Sequence, residues 1–364
     1  MNDLLHLLSL QTVSGVGPRR IKSLISHFGS AEAVLKADIS DLCRVKNIDE
    51  KTAWKIKKET DPQYAEKQIA LAEKYGVKII SYWDEGYPES LRKIYDPPVI
   101  LYLKGNLNKK DNNSIAVVGT RSPTNYGRMV TEQICEGLVN HNITVVSGMA
   151  RGIDSIAHQA SLQNGGRTIA VLGSGIDIIY PPENRNLYLK IADSGCVISE
   201  FAISSQPEPA HFPRRNRIIS GLALGTLVVE AGEKSGALIT AYNALEQGRE
   251  VFAIPGRINS TKSRGTHRLI KEGARLVERV EDIFSEIPEW RSKAGNLKSQ
   301  IDPEKVLNPL EKRIWEILSS DEPKHIDIIA REAGINTSEA SSLLLSMELK
   351  NCVKQFAGMI FLRK

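Results

Sequence analysis

The sequence predicts a doubly wound α/β fold, a mostly parallel sheet with helices on both faces, set between a short helical segment and a final segment of helices and a hairpin. Three observations carry this. From Ile115 to Ile254, short runs of Val, Ile and Leu alternate with helical stretches. The runs show no polar alternation, so both faces of the sheet are covered. And 364 residues are too many for one core and natural for two or three domains.

In chain order, Met1–Gly76 reads as short helices, with apolar residues at helical spacing in LLHLLSL and IKSLISHF. Ser14-Gly15-Val16-Gly17-Pro18 between them is a tight turn, and Pro18 opens the second helix. Val45–Ile56 reads as a degenerate second copy around Asn47-Ile48-Asp49. A strand at Val77–Tyr82 and an extended run at Val99–Leu103, after Pro97-Pro98, lead into the central domain. IAVVG, ITVVSG, TIAVLG, Val197–Glu200, TLVVE and EVFAI are the six parallel strands, with helices at Tyr126–Asn140, Ile153–Gln163, Glu183–Asp193, along the run after His211, and at Ala237–Gln247. This is a Rossmann-like pattern. Residues 291–303 are a polar linker; 304–364 give helices near Pro309–Leu318, Ile326–Ala333 and Thr337–Leu349, then two strands around Ala357-Gly358, a winged-helix pattern. The expected domains are therefore 1–76, 77–290 and 304–364.

Composition narrows the function classes. No apolar run approaches a membrane span, and the amino terminus lacks a basic region and a cleavage site, so a cytoplasmic location is expected. Four scattered cysteines form no CxxC and read as buried free thiols rather than zinc ligands or disulfides. The net charge is +5. Met1–Gly76 carries 12 Lys+Arg against 10 Asp+Glu, Ile301–Lys364 carries 9 against 10, and the middle 27 against 23, which places any polyanion site in the middle. GxGxxG after the first strand, GxxxxGK[ST], HExxH and GxSxG are all missing, so no cofactor is expected and no nucleophile–base set is visible. His158, on an amphipathic helix, reads as a packed or capping histidine.

Every parallel strand ends in Gly, Ser, Arg, Lys or Glu: VVGTR, SGMARGID, GSGIDIIYPPEN, EFAISSQPEPAHFPRRNRIISG, VVEAGEKSGALITA and AIPGRI. The fold gathers these loops on one edge. Glycines there let backbone N–H groups approach an anion, and Arg121, Arg151, Arg215 and Lys234 supply charge. In His211–Gly221, Arg214 and Arg217 share a helical face and Arg215 points elsewhere, so at least one of the three is structural. Arg121 is read as an anion ligand, against helix capping or a pair with Asp154. Arg151 and Asp154 suit either direct contact or a mutual ion pair. Glu230 reads as a carboxylate orienting a nearby Arg or Lys. Tyr180-Pro181-Pro182 reads as a rigid turn rather than a stacking site.

The segments VGTR, SGMARGID, GIDIIYP, FPRRNRIISG, VVEAGEKSGALITA and VFAIPGR, in this order and spacing, closely resemble the DNA-processing protein A family (DprA, also called Smf). The helical front resembles helix-hairpin-helix (SAM-like) modules, whose hairpin N–H groups hold a backbone phosphate, with small-domain packing as the alternative. The family resemblance implies a bacterial protein, without catalytic activity, that binds single-stranded DNA, self-associates as a homodimer and loads the RecA recombinase, protecting incoming DNA during natural transformation. Carried onto matching positions, its DNA pocket comprises Arg121; Ser147, Gly148, Met149, Arg151 and Gly152; Arg215, Asn216 and Arg217; and Lys234, Ser235 and Gly236, with Asp154 and Glu230 supporting. Few aromatics occur in these loops, so charge rather than stacking is the expected main term, with Met149, Phe212 and Ile254 as apolar partners.

Two competing readings remain. A Rossmann-like nucleotide phosphoribohydrolase is suggested by Gly221–Glu230, GLALGTLVVE, which resembles PGGxGTxxE but lacks the double glycine and is one residue longer between Thr226 and Glu230. A duplex nick or junction binder led by the front hairpins would leave the central loops without a role. The presumed recognition helix Thr337–Leu349 holds no Lys or Arg and carries Glu339 and Glu348, so the winged helix is expected to make protein contacts rather than enter a major groove.

Overall fold

The computed structural model describes residues 2–290, 307–319, 322–350, 352–356 and 358–363. The expected linker, 291–303, and Ala357 of the terminal hairpin lie outside them. The chain forms two compact units, Met1–Trp290 and Arg291–Lys364.

The first unit opens with helices α1 (Asn2–Leu10), α2 (Pro18–Phe28), α3 (Ala31–Lys36), α4 (Ile39–Leu42), α5 (Glu50–Glu59) and α6 (Pro62–Tyr75). Gly15 adopts φ +82° in the first hairpin and Pro18 takes the first position of α2, as its fixed φ favours. In the second hairpin the left-handed position is filled by Asn47, at φ 67°. Leu8, Leu24, Val34 and Ile56 of these helices share a continuous core with Tyr102, Ala170 and Val197 of the sheet that follows. Gln68 seals the junction: its Nε2 donates to the Ile203 carbonyl at 3.3 Å, and its Oε1 accepts from the Ile203 N–H at 2.9 Å.

Next come β1 (Lys78–Ser81), α7 (Glu89–Arg92), β2 (Ile100–Gly105), β3 (Ser114–Val118), α8 (Asn125–Asn140), β4 (Thr144–Ser147), α9 (Ile153–Gln163), β5 (Thr168–Val171), α10 (Arg185–Ser194), β6 (Cys196–Ser199), α11 (His211–Leu222), β7 (Gly225–Val228), α12 (Gly236–Glu246), β8 (Glu250–Ala253), α13 (Arg264–Lys271), β9 (Arg275–Leu276) and α14 (Val280–Glu286). The nine strands form one sheet in the order β1-β2-β6-β5-β4-β3-β7-β8-β9. From β6 to β9 every pairing is parallel. The two strands read as a lead-in belong to this same sheet, with β2 antiparallel to both β1 and β6. The chain runs from β3 outward through β4, β5 and β6, then crosses back along α11 to β7 on the other side of β3. The topological switch point therefore lies between the carboxyl ends of β3 and β7.

The second unit contains α15 (Pro309–Ile317), β10 (Lys324–His325), α16 (Ile326–Ala333), α17 (Thr337–Leu349), β11 (Val353–Phe356) and β12 (Ile360–Arg363). Its strands pair antiparallel in the order β10-β12-β11, the helix-and-wing arrangement. Buried Glu311 accepts hydrogen bonds from Lys350 Nζ at 2.6 and 2.7 Å and from Ser346 Oγ at 2.8 Å, tying α15 to the end of α17. Among the described residues no helix is long and apolar enough to cross a membrane. Of the four cysteines, Cys135, Cys196 and Cys352 are buried free thiols as expected, while Cys43 is exposed.

Candidate nucleic-acid interface

A cleft of about 750 Å³ opens at the switch point. Two backbone hydrogen bonds join its central loops, Thr120 N–H to the Glu230 carbonyl at 2.7 Å and Val229 N–H to the Val118 carbonyl at 3.1 Å. The buried Glu230 carboxylate accepts from the Thr124 N–H at 2.8 Å and from Thr124 Oγ1 at 2.5 Å, and Thr124 caps α8. Glu230 thus orients a helix start and not an Arg or Lys, because both of its oxygens are engaged there. Gly152, at φ +78°, opens α9 where a Cβ would collide with the Thr120 carbonyl and the Arg121 backbone, so the β3 and β4 loops can meet only at glycine.

The cleft floor is a buried polar network. Arg215, on the inward face of α11, donates from Nη1 to the Gly148 carbonyl at 2.5 Å and to the Val171 carbonyl, and from Nε to Asn216 Oδ1 at 3.3 Å. Asn216 Nδ2 reaches the Gly236 carbonyl at 3.3 Å. One cation thereby ties together the ends of β4 and β5 and, through Asn216, the start of α12. Burial lowers the Arg215 pKa to about 10, which leaves it charged at neutral pH. Buried Asp154 accepts from the N–H groups of Gly148 (3.2 Å) and Ala150 (3.4 Å). Burial pushes its pKa up to about 6, against the pull of Arg215, these amides and Arg121. One turn along α9, His158 is fully buried with Nδ1 2.6 Å from Thr168 Oγ1. Thr168 Oγ1 donates onward to the Val145 carbonyl, so Nδ1 carries the proton. Burial, aided by Arg215, lowers the His158 pKa to about 3 and keeps it neutral, the packed histidine expected.

The cleft's open side is different. Arg121 and Lys234 are exposed on its walls and form no ion pair among the described residues. The Arg121 guanidinium lies 5.8 Å from the Phe212 ring centre, and the Tyr180 ring 5.7 Å from it. Ser235 caps α12, its Oγ accepting from the Ala237 N–H at 3.3 Å, and Gly236 faces open space. Cations at the rim, helix-start amides and two aromatic faces suit a chain of phosphates bearing flat rings.

Several expected positions lie elsewhere. Ser147 is buried in the sheet with its hydroxyl on the Val117 carbonyl at 2.6 Å, and Met149 is fully buried in the core at φ +60°. Ile254 is likewise buried and lines no part of the cleft, leaving half-buried Phe212 as the apolar partner that lines it. Arg151 pairs with Glu183, not Asp154, and lines a small side niche beside Gly148. Gly148 contributes its carbonyl and amide to the floor. Arg217 turns from the cleft to Glu200 (2.8 Å) and Asp96 (3.4 Å), with Arg214 on the same Glu200 at 3.0 Å. The arginine run therefore sends none of its three guanidinium groups to the open side. Tyr180 is the residue that sequence reasoning set aside: its ring stands in the cleft wall, 42% exposed, after a loop closed by a cis Tyr180–Pro181 bond. Two prolines holding an aromatic at a strand end were the available signal.

Three family models match the chain: DNA recombination-mediator protein A over residues 78–288, the SAM-like helix-hairpin-helix tandem over 7–61, and the DprA winged helix domain over 299–359. Protein Smf of Synechocystis sp. is 33% identical over 99% of this chain and 98% of its own. The X-ray structure of DNA processing protein A from Streptococcus pneumoniae superposes with a TM-score of 0.68 at 38% identity, covering 77% of this chain and 96% of that one. DNA processing protein A from Helicobacter pylori, whose structure describes a single-stranded DNA binding mode, gives 0.52 at 29% identity over 57% and 93%. With a family model spanning most of the nine-stranded unit and a relative aligned end to end, this chain belongs to the DNA recombination-mediator protein A family, that of the DNA-processing protein A (DprA/Smf) proteins.

Proposed function

We propose that this protein is a non-catalytic single-stranded DNA binder that holds the strand in the switch-point cleft, protects incoming DNA and loads the RecA recombinase during natural transformation, acting as a homodimer inside the cell. One observation carries the binding reading: among the described residues, Arg121 and Lys234 stand without ion pairs on opposite loops of a glycine-lined cleft, while Arg215 is buried beneath it and Arg151, Arg214 and Arg217 are matched by carboxylates. The single-strand binding of the Helicobacter pylori relative supports the same ligand. In this reading Arg121 and Lys234 neutralise phosphates, Gly236 and the start of α12 offer amides, and Tyr180 and Phe212 offer faces to bases. The hydrolase alternative draws no support from Glu230, whose carboxylate is committed to Thr124. The test is a gel-shift series with single- and double-stranded oligonucleotides at several salt concentrations. Single-strand preference with a steep salt slope supports the reading; base release from a nucleoside monophosphate with no strand binding overturns it.

A further inference from the structure

Helix α2 and the Tyr82–Tyr95 segment together form a ledge of cations and rings. The Arg19 guanidinium lies 3.4 Å from the Tyr95 ring centre and Lys22 Nζ 4.2 Å from that of Tyr82. Arg92 stands 5.6 Å from the same Tyr82 ring, and Trp83 meets Tyr82 edge to face at 5.4 Å. Tyr95 is 78% and Trp83 42% exposed, so neither ring is spent on the core. Arg19, Lys22 and Arg92 form no ion pair among the described residues. The neighbouring carboxylates are largely occupied: Asp84 accepts from the Ser81 N–H at 2.8 Å, Glu89 pairs with Lys93 at 2.9 Å and Asp96 with Arg217, leaving Glu85 exposed.

The ledge connects to the cleft along α11. His211, next to the cleft residue Phe212, stacks on Phe201 at 4.0 Å. Arg214 lies 5.3 Å over that same ring and shares Glu200 with Arg217, which reaches Asp96, the neighbour of Tyr95. We propose that a single strand seated in the cleft continues along this flank of α11 onto the ledge, where bases stack on Tyr95 and Trp83 and phosphates meet Arg19, Lys22 and Arg92. The proposal rests on the reading of the cleft as a single-strand site. Flat exposed rings interleaved with unmatched cations favour nucleic acid over an acidic protein surface, because a base stacks on a ring while its phosphate meets the cation beside it.

The experiment compares the full chain with Trp83→Ala/Tyr95→Ala on oligothymidylates of about six and about thirty nucleotides. The unfolding midpoint of the double variant is read beside its affinity, and the unchanged short-strand affinity reports that the cleft is still folded. Affinity for the long strand should fall about thirtyfold or more while that for the short one stays unchanged, and Trp83→Phe should keep affinity but lose the extra tryptophan quenching caused by the long strand. Unchanged long-strand affinity, or an equal loss at both lengths, overturns the ledge. So does a polyglutamate chain that binds the wild type as tightly as the long strand and loses affinity in the double variant. Failure of the cleft itself is a separate observation: Lys234→Glu would then leave the short-strand affinity intact.

Discussion

Arg215 lies beneath Gly148 and donates from Nη1 to its carbonyl at 2.5 Å, across 67 residues of sequence. An added Cβ on Gly148 would stand 2.6 Å from the guanidinium. Glycine and arginine thus form one device, the glycine giving the room and the arginine closing the floor. Arg215→Met should lower unfolding stability by about 3 kcal/mol, because the Gly148 and Val171 carbonyls are left without a charged donor. Gly148→Ala should cost about 1–3 kcal/mol by overpacking, and the double variant less than the sum, since each change already disrupts the same hydrogen bond. Urea unfolding of the four proteins measures this; additive losses would show that the two residues act independently.

Asp154 and His158 should give the stability opposing pH slopes. Asp154 titrates at about 6 when folded, above its ordinary 3.8, so its contribution is whole at low pH and is lost as pH rises toward about 6. His158 titrates at about 3, below its ordinary 6.5, so its contribution is present above pH 6.5 and is lost as pH falls. Between about pH 4 and 6 the two largely cancel. Asp154→Asn removes the first slope alone, and its unfolding midpoint should fall more steeply than that of wild type as pH drops from about 6.5 to about 4. Parallel midpoint curves for the two proteins would contradict this.

Tyr180→Ala should weaken single-strand binding by about 1–3 kcal/mol, the usual loss of one stacked base, with a smaller effect on stability because the side chain is 42% exposed and lies outside the core. Tyr180→Phe should bind as wild type. Equilibrium fluorescence titration at fixed salt reads both, and an alanine variant with wild-type affinity would remove stacking from the account.

The winged helix should be dispensable for strand binding. Its α17 carries no Lys or Arg, and Leu345 on that helix is exposed. A chain ending at Trp290, the limit of the first compact unit, should keep single-strand affinity within about twofold. Tight duplex binding by 301–364 would instead make the wing a DNA reader.

Much of the fold was legible because its signals are local. Ile326–Ala333 announces itself by periodicity and the Gly334 that ends it, Thr337–Leu349 by the Asn336 that caps it, and the strand runs by continuous Val and Ile. The gathering of Arg121 and Lys234 at one edge was legible because loops at the carboxyl ends of parallel strands converge there, whereas Asn216 was placed by the family resemblance. The division of labour in the arginine run was not legible. Spacing sets Arg214 and Arg217 on one face, but which face turns to the sheet depends on how α11 packs, and that is settled by Ile218, Ile219 and Leu222 meeting the sheet. Arg215 shares that inward side and is buried, so the residue expected to touch DNA holds the floor instead. Likewise β1 and β2 join the sheet through long-range antiparallel pairing that no local pattern encodes.

In the proposed function Arg121 and Lys234 hold the strand. The most direct measurement is the single-strand affinity of Arg121→Glu/Lys234→Glu across a salt series, beside its unfolding midpoint. Affinity should fall about a hundredfold or more and the slope of log K against log salt should flatten by about 0.7 for each phosphate no longer neutralised, with the midpoint unchanged. Wild-type affinity and slope in a folded double variant would contradict the account.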